Sequence, residues 1–154
     1  MKIAYVSFLV ALLLLPGCAG PKWETFTDGN FSMQYPAGTV QQTRGDEIFK
    51  AASEGCQISA MRIGGQPSFS KFITYIKGTW EGLNGLTIEK EYVGQSVANF
   101  EVRASNETAQ YKGSVKMLYC EGNKVYILMV GCGRNVYESR KEMVDRIIDS
   151  AGCA

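Results

Sequence analysis

Histidine is missing from all 154 residues of this chain. Its absence removes the usual general base, the commonest nitrogen ligand for metals and the side chain that changes charge near neutral pH. Charge of one sign is not in excess either. Sixteen Lys and Arg stand against fifteen Asp and Glu, a balance that selects neither nucleic acid nor an anionic bilayer. The five cysteines contain no Cys-x-x-Cys pair and no histidine is present to complete a mixed site, so zinc is not the reading of these cysteines. No metal, no other cofactor and no catalytic residue set is therefore expected, and the chain is not read as an enzyme. Long apolar runs are also scarce. The one present, Ile3 to Leu15, is shorter than the roughly 20 residues that a permanent transmembrane helix needs.

That run has the makeup of an export signal. Lys2 gives a positive start, the apolar stretch follows, and Pro16-Gly17 break it just before Cys18. The order Leu15-Pro16-Gly17-Cys18 resembles the lipobox of bacterial lipoproteins, although proline in the second position departs from the commonest pattern. The resemblance implies a diacylglyceryl group on the Cys18 thiol, cleavage before it, and residues 1–17 as a removed signal peptide. An ordinary signal peptide cut nearby, with Cys18 a plain thiol, is the alternative. Two or three acyl chains hold a protein stably on a bilayer where one holds it marginally. Loss of residues 1–17 removes Lys2 alone among the charges, leaving fifteen basic and fifteen acidic side chains. Residues 18–22 then form the anchor and a short linker, and residues 23–154 a single domain long enough for a real core.

Four cysteines remain after Cys18: Cys56, Cys120, Cys132 and Cys153. In an exported chain an even number reads as two disulfides, with three pairings open at this point.

Turn residues and alternation mark short strands. "NFSMQYP" (30–36) follows Asp28-Gly29; "DEIFKAAS" (46–53) and "CQISAMRI" (56–63) come next. After Pro67 the period changes. Phe69, Phe72, Ile73, Ile76, Trp80 and Leu83 recur every three or four residues, with Ser68 placed to cap the start of a helix and Gly85 its end. Four strands are then expected over 86–94, 97–107, 109–120 and 124–132, the last almost wholly apolar and so central. A second helix follows, with Asn135 and Glu138 as a capping box and Val136, Arg140, Met143, Val144, Ile147, Ile148 and Ala151 on its buried side.

Strands joined by short links and two amphipathic helices give an α+β class, with an antiparallel sheet of about six to seven strands flanked by helices. The strand "NFSMQYP", the aromatic helix in the middle and the closing "KVYILMVGCGRNVYESRKEMVDRIIDS" resemble the PsbP/DcrB-like fold, which includes Ran-binding proteins of the Mog type. The resemblance spans roughly residues 22–152. It implies an α/β/α sandwich used mainly for protein binding or assembly, and it carries no catalytic signature. In the fold so implied, the last helix runs back along strand 124–132, which sets Cys153 near Cys120 and leaves Cys132 to Cys56.

Other candidates have plainer readings. Gly131-Cys132-Gly133 lacks the third glycine and the Gly-Lys-Ser/Thr ending of a phosphate loop. Asp46, Glu47 and Glu54 fit exposed strand positions better than a paired-carboxylate site. Asn30 and Asn106 open glycosylation-type triplets that mark surface turns.

Two functions remain. One is a binding or assembly module held to a membrane through lipid on Cys18, with a protein partner in the cell envelope. The other is a carrier of a small apolar ligand or lipid between the sheet and the Phe69/Trp80 helix. Ala19 after the lipid-bearing cysteine resembles the enterobacterial signal for the outer membrane. The expected location is therefore the periplasmic face of that membrane in a two-membrane cell, and otherwise the outer face of the cytoplasmic membrane.

Overall fold

The computed structural model describes residues 22–153. In chain order the elements are β1 (Trp23–Asp28), β2 (Phe31–Pro36), β3 (Thr39–Val40), β4 (Glu47–Ser53), β5 (Cys56–Ile63), α1 (Phe69–Glu81), β6 (Leu86–Val93), β7 (Val97–Ser105), β8 (Gln110–Cys120), β9 (Lys124–Gly133), α2 (Arg134–Ser150) and β10 (Gly152–Cys153). Seven strands form one antiparallel sheet in the order β3-β4-β5-β9-β8-β7-β6. The near-continuous apolar run of β9 lies at its centre, as a strand covered on both faces should. A second sheet, β1-β2-β10, takes "NFSMQYP" as its middle strand.

Alternation along the strands feeds two separate cores. One face of the large sheet presents Ala98, Phe100, Val115, Met117, Val125 and Ile127, and α1 lays Phe69, Phe72 and Ile73 on it. The other presents Ile58, Ala60, Tyr126, Leu128 and Val130, covered by Tyr137, Val144, Ile147 and Ile148 of α2 and by Phe31 and Met33 of the small sheet. The result is the three-layer α+β sandwich, with the small sheet sharing one outer layer with α2. Phe31 stacks on Tyr126 at 4.8 Å between ring centroids, and the Tyr126 hydroxyl donates to the carbonyl of Asp28 at 3.2 Å. That pair ties the two sheets together.

The helices show which local signals govern their ends. Ser68 caps α1, its hydroxyl oxygen accepting from the Lys71 amide. Gly78 costs about 1 kcal/mol relative to alanine, whereas burying each of Phe69, Phe72 and Ile73 contributes about 1.5–3 kcal/mol, so packing decides. The helix stops at Gly82, three residues before the expected Gly85, and Leu83 beyond it is half-exposed instead of completing the apolar stripe. Gly85 has another task. It has φ +83°, and its carbonyl accepts from the Ser105 amide at 2.8 Å where β6 begins beside the end of β7; a side chain there would strike the Ser105 carbonyl.

Asn135 does not cap α2. The helix begins at Arg134 with Gly133 as its N-cap and no side-chain cap bond, because β9 runs into it without a loop. Gly133 is still paired with Tyr111 across the sheet. Glu138 turns outward to Lys112. Tyr137, absent from the expected stripe, is fully buried, while Arg140, expected within it, is partly exposed and paired with Glu54 at 2.9 Å.

Candidate functional site

The α2-side face of the large sheet is apolar on only one half. Along β7 the residues facing α1 are Ala98, Phe100 and Val102, whereas Asn99, Glu101 and Arg103 face the other way. Across the ladder they meet Lys116, Ser114 and Lys112 of β8 in turn. On the other side of β7, Tyr92 and Lys90 of β6 lie opposite Asn99 and Glu101. These residues form a polar floor beyond the flank of α2. The helix walls it with Glu138, Asp145 and Asp149.

The groove has two parts. Nearer the C-terminal end of α2 a cavity of about 390 Å³ is lined by Lys90, Tyr92, Asn99, Glu101, Lys116 and Asp149 among others. Further along the same ladder a second, of about 260 Å³, is lined by Glu89, Arg103, Lys112, Arg134 and Glu138. A register shift between Ile88 and Lys90 brings Glu89 into this second part.

Ion pairs organise the floor. Lys90 Nζ donates to both carboxylate oxygens of Glu101, at 3.2 and 3.1 Å. Arg103 donates to Glu89, Lys112 donates to Glu138 at 3.0 Å, and Lys112 also lies 4.9 Å from the centre of the Tyr137 ring. The hydrogen bond from Arg103 holds the Glu89 carboxyl below the usual range. The bond to Glu138 raises Lys112, and the bond to Asp145 raises Lys141 on the adjacent wall. These three groups are thus fixed in their charged forms, the reverse of what acid–base catalysis near neutrality requires.

Lys116 is half-buried, and burial pushes its ammonium pKa down against the opposing pull of Asp149. Its Nζ donates to the carbonyls of Ile148 at 2.9 Å and Ala151 at 2.8 Å, closing the C-terminal end of α2. Asn99 Oδ1 is buried on the floor with no donor among the described residues.

The sequence-predicted residues fall elsewhere. Cys18 and the signal segment lie outside the described residues. Cys56 is bridged to Cys132, directly opposite it in the β5–β9 ladder with Cα atoms 4.1 Å apart, and Cys120 to Cys153 at 5.7 Å. Neither bridge lines the groove. Glu47 accepts from Ser59 at one end of β4, and Glu54 pairs with Arg140 past the other, so the carboxylates proposed as a pair are not brought together. Residues 131–133 continue β9 into α2 and form no loop. Asn106 Oδ1 accepts from the amides of Thr108 and Ala109, an Asx turn.

The space between α1 and the sheet, where the alternative carrier reading places its ligand, is filled by Phe69, Phe72 and Ile73, with Trp80 edge-on to Phe100 at 5.5 Å. The groove residues were not singled out from the sequence. Their signal was nonetheless present in Asn99-x-Glu101-x-Arg103 and Lys112-x-Ser114-x-Lys116, polar residues at every second place in strands whose remaining positions are mostly apolar.

An antiparallel seven-stranded sheet with a three-stranded companion and two helices is the PsbP/Mog1-like fold. Among solved structures, the chain is similar to cyanobacterial PsbP (CyanoP) of Synechocystis, with a TM-score of 0.66 and 10% identity over 90% of this chain and 96% of that one. It is also similar to the Ran-binding protein Mog1p of Saccharomyces cerevisiae, with a TM-score of 0.55, 6% identity, and coverage of 87% and 95%. A protein of unknown function and putative regulator from Pseudomonas aeruginosa aligns at a TM-score of 0.51 and 11% identity over 78% and 89%. No protein-family model and no curated protein matches the sequence.

Proposed function

We propose that this chain is a non-catalytic binding or assembly module, held to a membrane face by lipid on Cys18, that takes a protein partner in the groove between α2 and strands β6–β8. The observation that carries the reading is the polar half-face of the sheet, where charges of both signs alternate over the floor and no helix among the described residues covers them. Interleaved Lys90, Glu101, Arg103 and Lys112 suit a polypeptide surface, which offers matching charges and backbone donors and acceptors. They do not suit an acyl chain, which would have to desolvate each of them. Asn99 Oδ1 is an acceptor still in want of a donor, and a partner amide supplies one. The likeness to the Ran-binding protein Mog1p supports use of this fold for protein contact. The lipobox-like Leu15-Pro16-Gly17-Cys18 supports the tether.

The test is site-specific photocrosslinking of the full chain in its own cells, from Asn99 in the groove and from Thr74 on the outer side of α1. A discrete adduct from Asn99 that disappears with Glu101→Lys and weakens at high salt is the expected result. Equal adducts from both positions, or an Asn99 adduct unmoved by the charge change, would refute the groove. Mass analysis of the mature N-terminus tests the lipid.

A further inference from the structure

A further cavity, of about 530 Å³, opens on the opposite flank of α2, lined by Trp23, Glu54, Arg140, Glu142, Met143 and Arg146 among others. Trp23 begins β1, so this cavity lies where the folded body meets the segment leading back to Cys18. The chain is pinned there, since the Lys22 carbonyl accepts from the Ala37 amide at 2.7 Å. The Arg146 guanidinium carbon sits 3.9 Å from the centre of the Trp23 ring. Arg140 spends one nitrogen on Glu54, yet its Nε is buried without an acceptor among the described residues.

We infer that this pole is the surface the domain rests on the lipid headgroups, with Trp23 at the interface and Arg140 and Arg146 on lipid phosphates. The inference rests on acylation of Cys18. From Cys18 to Trp23 there are five Cα steps, a reach of at most about 18 Å even when fully extended. The 17-residue α2 alone is about 26 Å long. A tether this short keeps the Trp23 pole near the headgroups, while α1, on the far side of the sheet, is held away. The chemistry at the pole fits that position. Tryptophan partitions to the interface, where its ring is apolar and its N–H finds acceptors, and the guanidinium fork matches phosphate oxygens. Lys22, Arg140 and Arg146 are balanced by Glu24, Glu54 and Glu142, so the seating does not depend on anionic lipid.

The molecule carries its own control, because its two tryptophans lie on opposite sides: Trp23 at this pole and Trp80 on α1. Full-length protein purified with its native N-terminal processing, as Trp80→Phe and as Trp23→Phe, is reconstituted into phosphatidylcholine vesicles with and without brominated acyl chains. Flotation reports the tether and quenching reports the orientation. Both variants should float, and Trp23 emission should be quenched at least about twofold more than that of Trp80. Arg140→Gln/Arg146→Gln in the Trp80→Phe background should float equally well but lose much of that quenching. Flotation with equal quenching of the two tryptophans, or stronger quenching of Trp80, overturns the orientation and leaves the tether standing. Quenching unchanged by the double substitution overturns the arginine contacts. Failure to float overturns the tether, and the membrane-facing pole with it.

Discussion

The two disulfides should differ in how they fail. The Cys120–Cys153 bridge has a sequence separation of 33, and chain entropy assigns closure of such a loop about 3.7 kcal/mol. Cys56–Cys132 spans 76 residues, which gives about 4.5 kcal/mol by the same relation. Burial separates them further. Cys56 and Cys132 are each 1% exposed between β5 and β9, in the middle of the sheet. Cys153 is exposed at the end of a two-residue strand paired only to Ser32 and Phe31. Fraying of β10 therefore exposes the Cys120–Cys153 sulfurs to a thiol reductant, while Cys56–Cys132 requires the sheet to open. Under native conditions dithiothreitol should reduce the first bridge well before the second, followed by alkylation and peptide mass mapping. In denaturant titrations Cys120→Ala/Cys153→Ala should lose about 3.7 kcal/mol, and Cys56→Ala/Cys132→Ala should lose more. Earlier reduction of Cys56–Cys132, or a loss below about 1 kcal/mol for the Cys120/Cys153 pair, would refute the reasoning.

Two further outcomes follow from the groove. Lys116→Met removes the donor to the Ile148 and Ala151 carbonyls, so it should destabilise the fold by about 1–3 kcal/mol in chemical denaturation; a neutral result would mean that water replaces the ammonium at no cost. Glu89 has a folded-state pKa below 4.5, so its carboxylate favours the fold above 4.5 and that contribution is lost as pH falls through the folded value. Glu89→Gln should therefore melt below the wild type at neutral pH and converge with it in acid, whereas a melting difference constant down to acid pH would contradict the pairing with Arg103.

Large periodic elements were legible because burial writes itself into the sequence at a fixed spacing. β5, β9 and the α1 stripe each present an apolar row, and each was read close to its observed bounds. β1 was missed because "WETFTD" offers only Trp23 and Phe26 to the core, and its partner β2 supplies the rest of the packing. β3 and β10 have two residues each, too few to carry a period. The start of α2 was misread because a capping signature describes a chain arriving from a loop, and here it arrives from a strand. The groove was overlooked for a related reason. Polar residues at alternate strand positions look like ordinary solvated surface until the topology shows α2 running beside them without covering them.

The small sheet has an unusual parentage: two of its strands are the first elements of the domain and the third is the last. Ribosomes deliver β1 and β2 more than a hundred residues before β10, so this hairpin waits for its third strand until Gly152 and Cys153 emerge and fasten to it. Removing a handful of residues from the tail therefore strikes the beginning of the fold, unlatching the very hairpin with which the described chain opens.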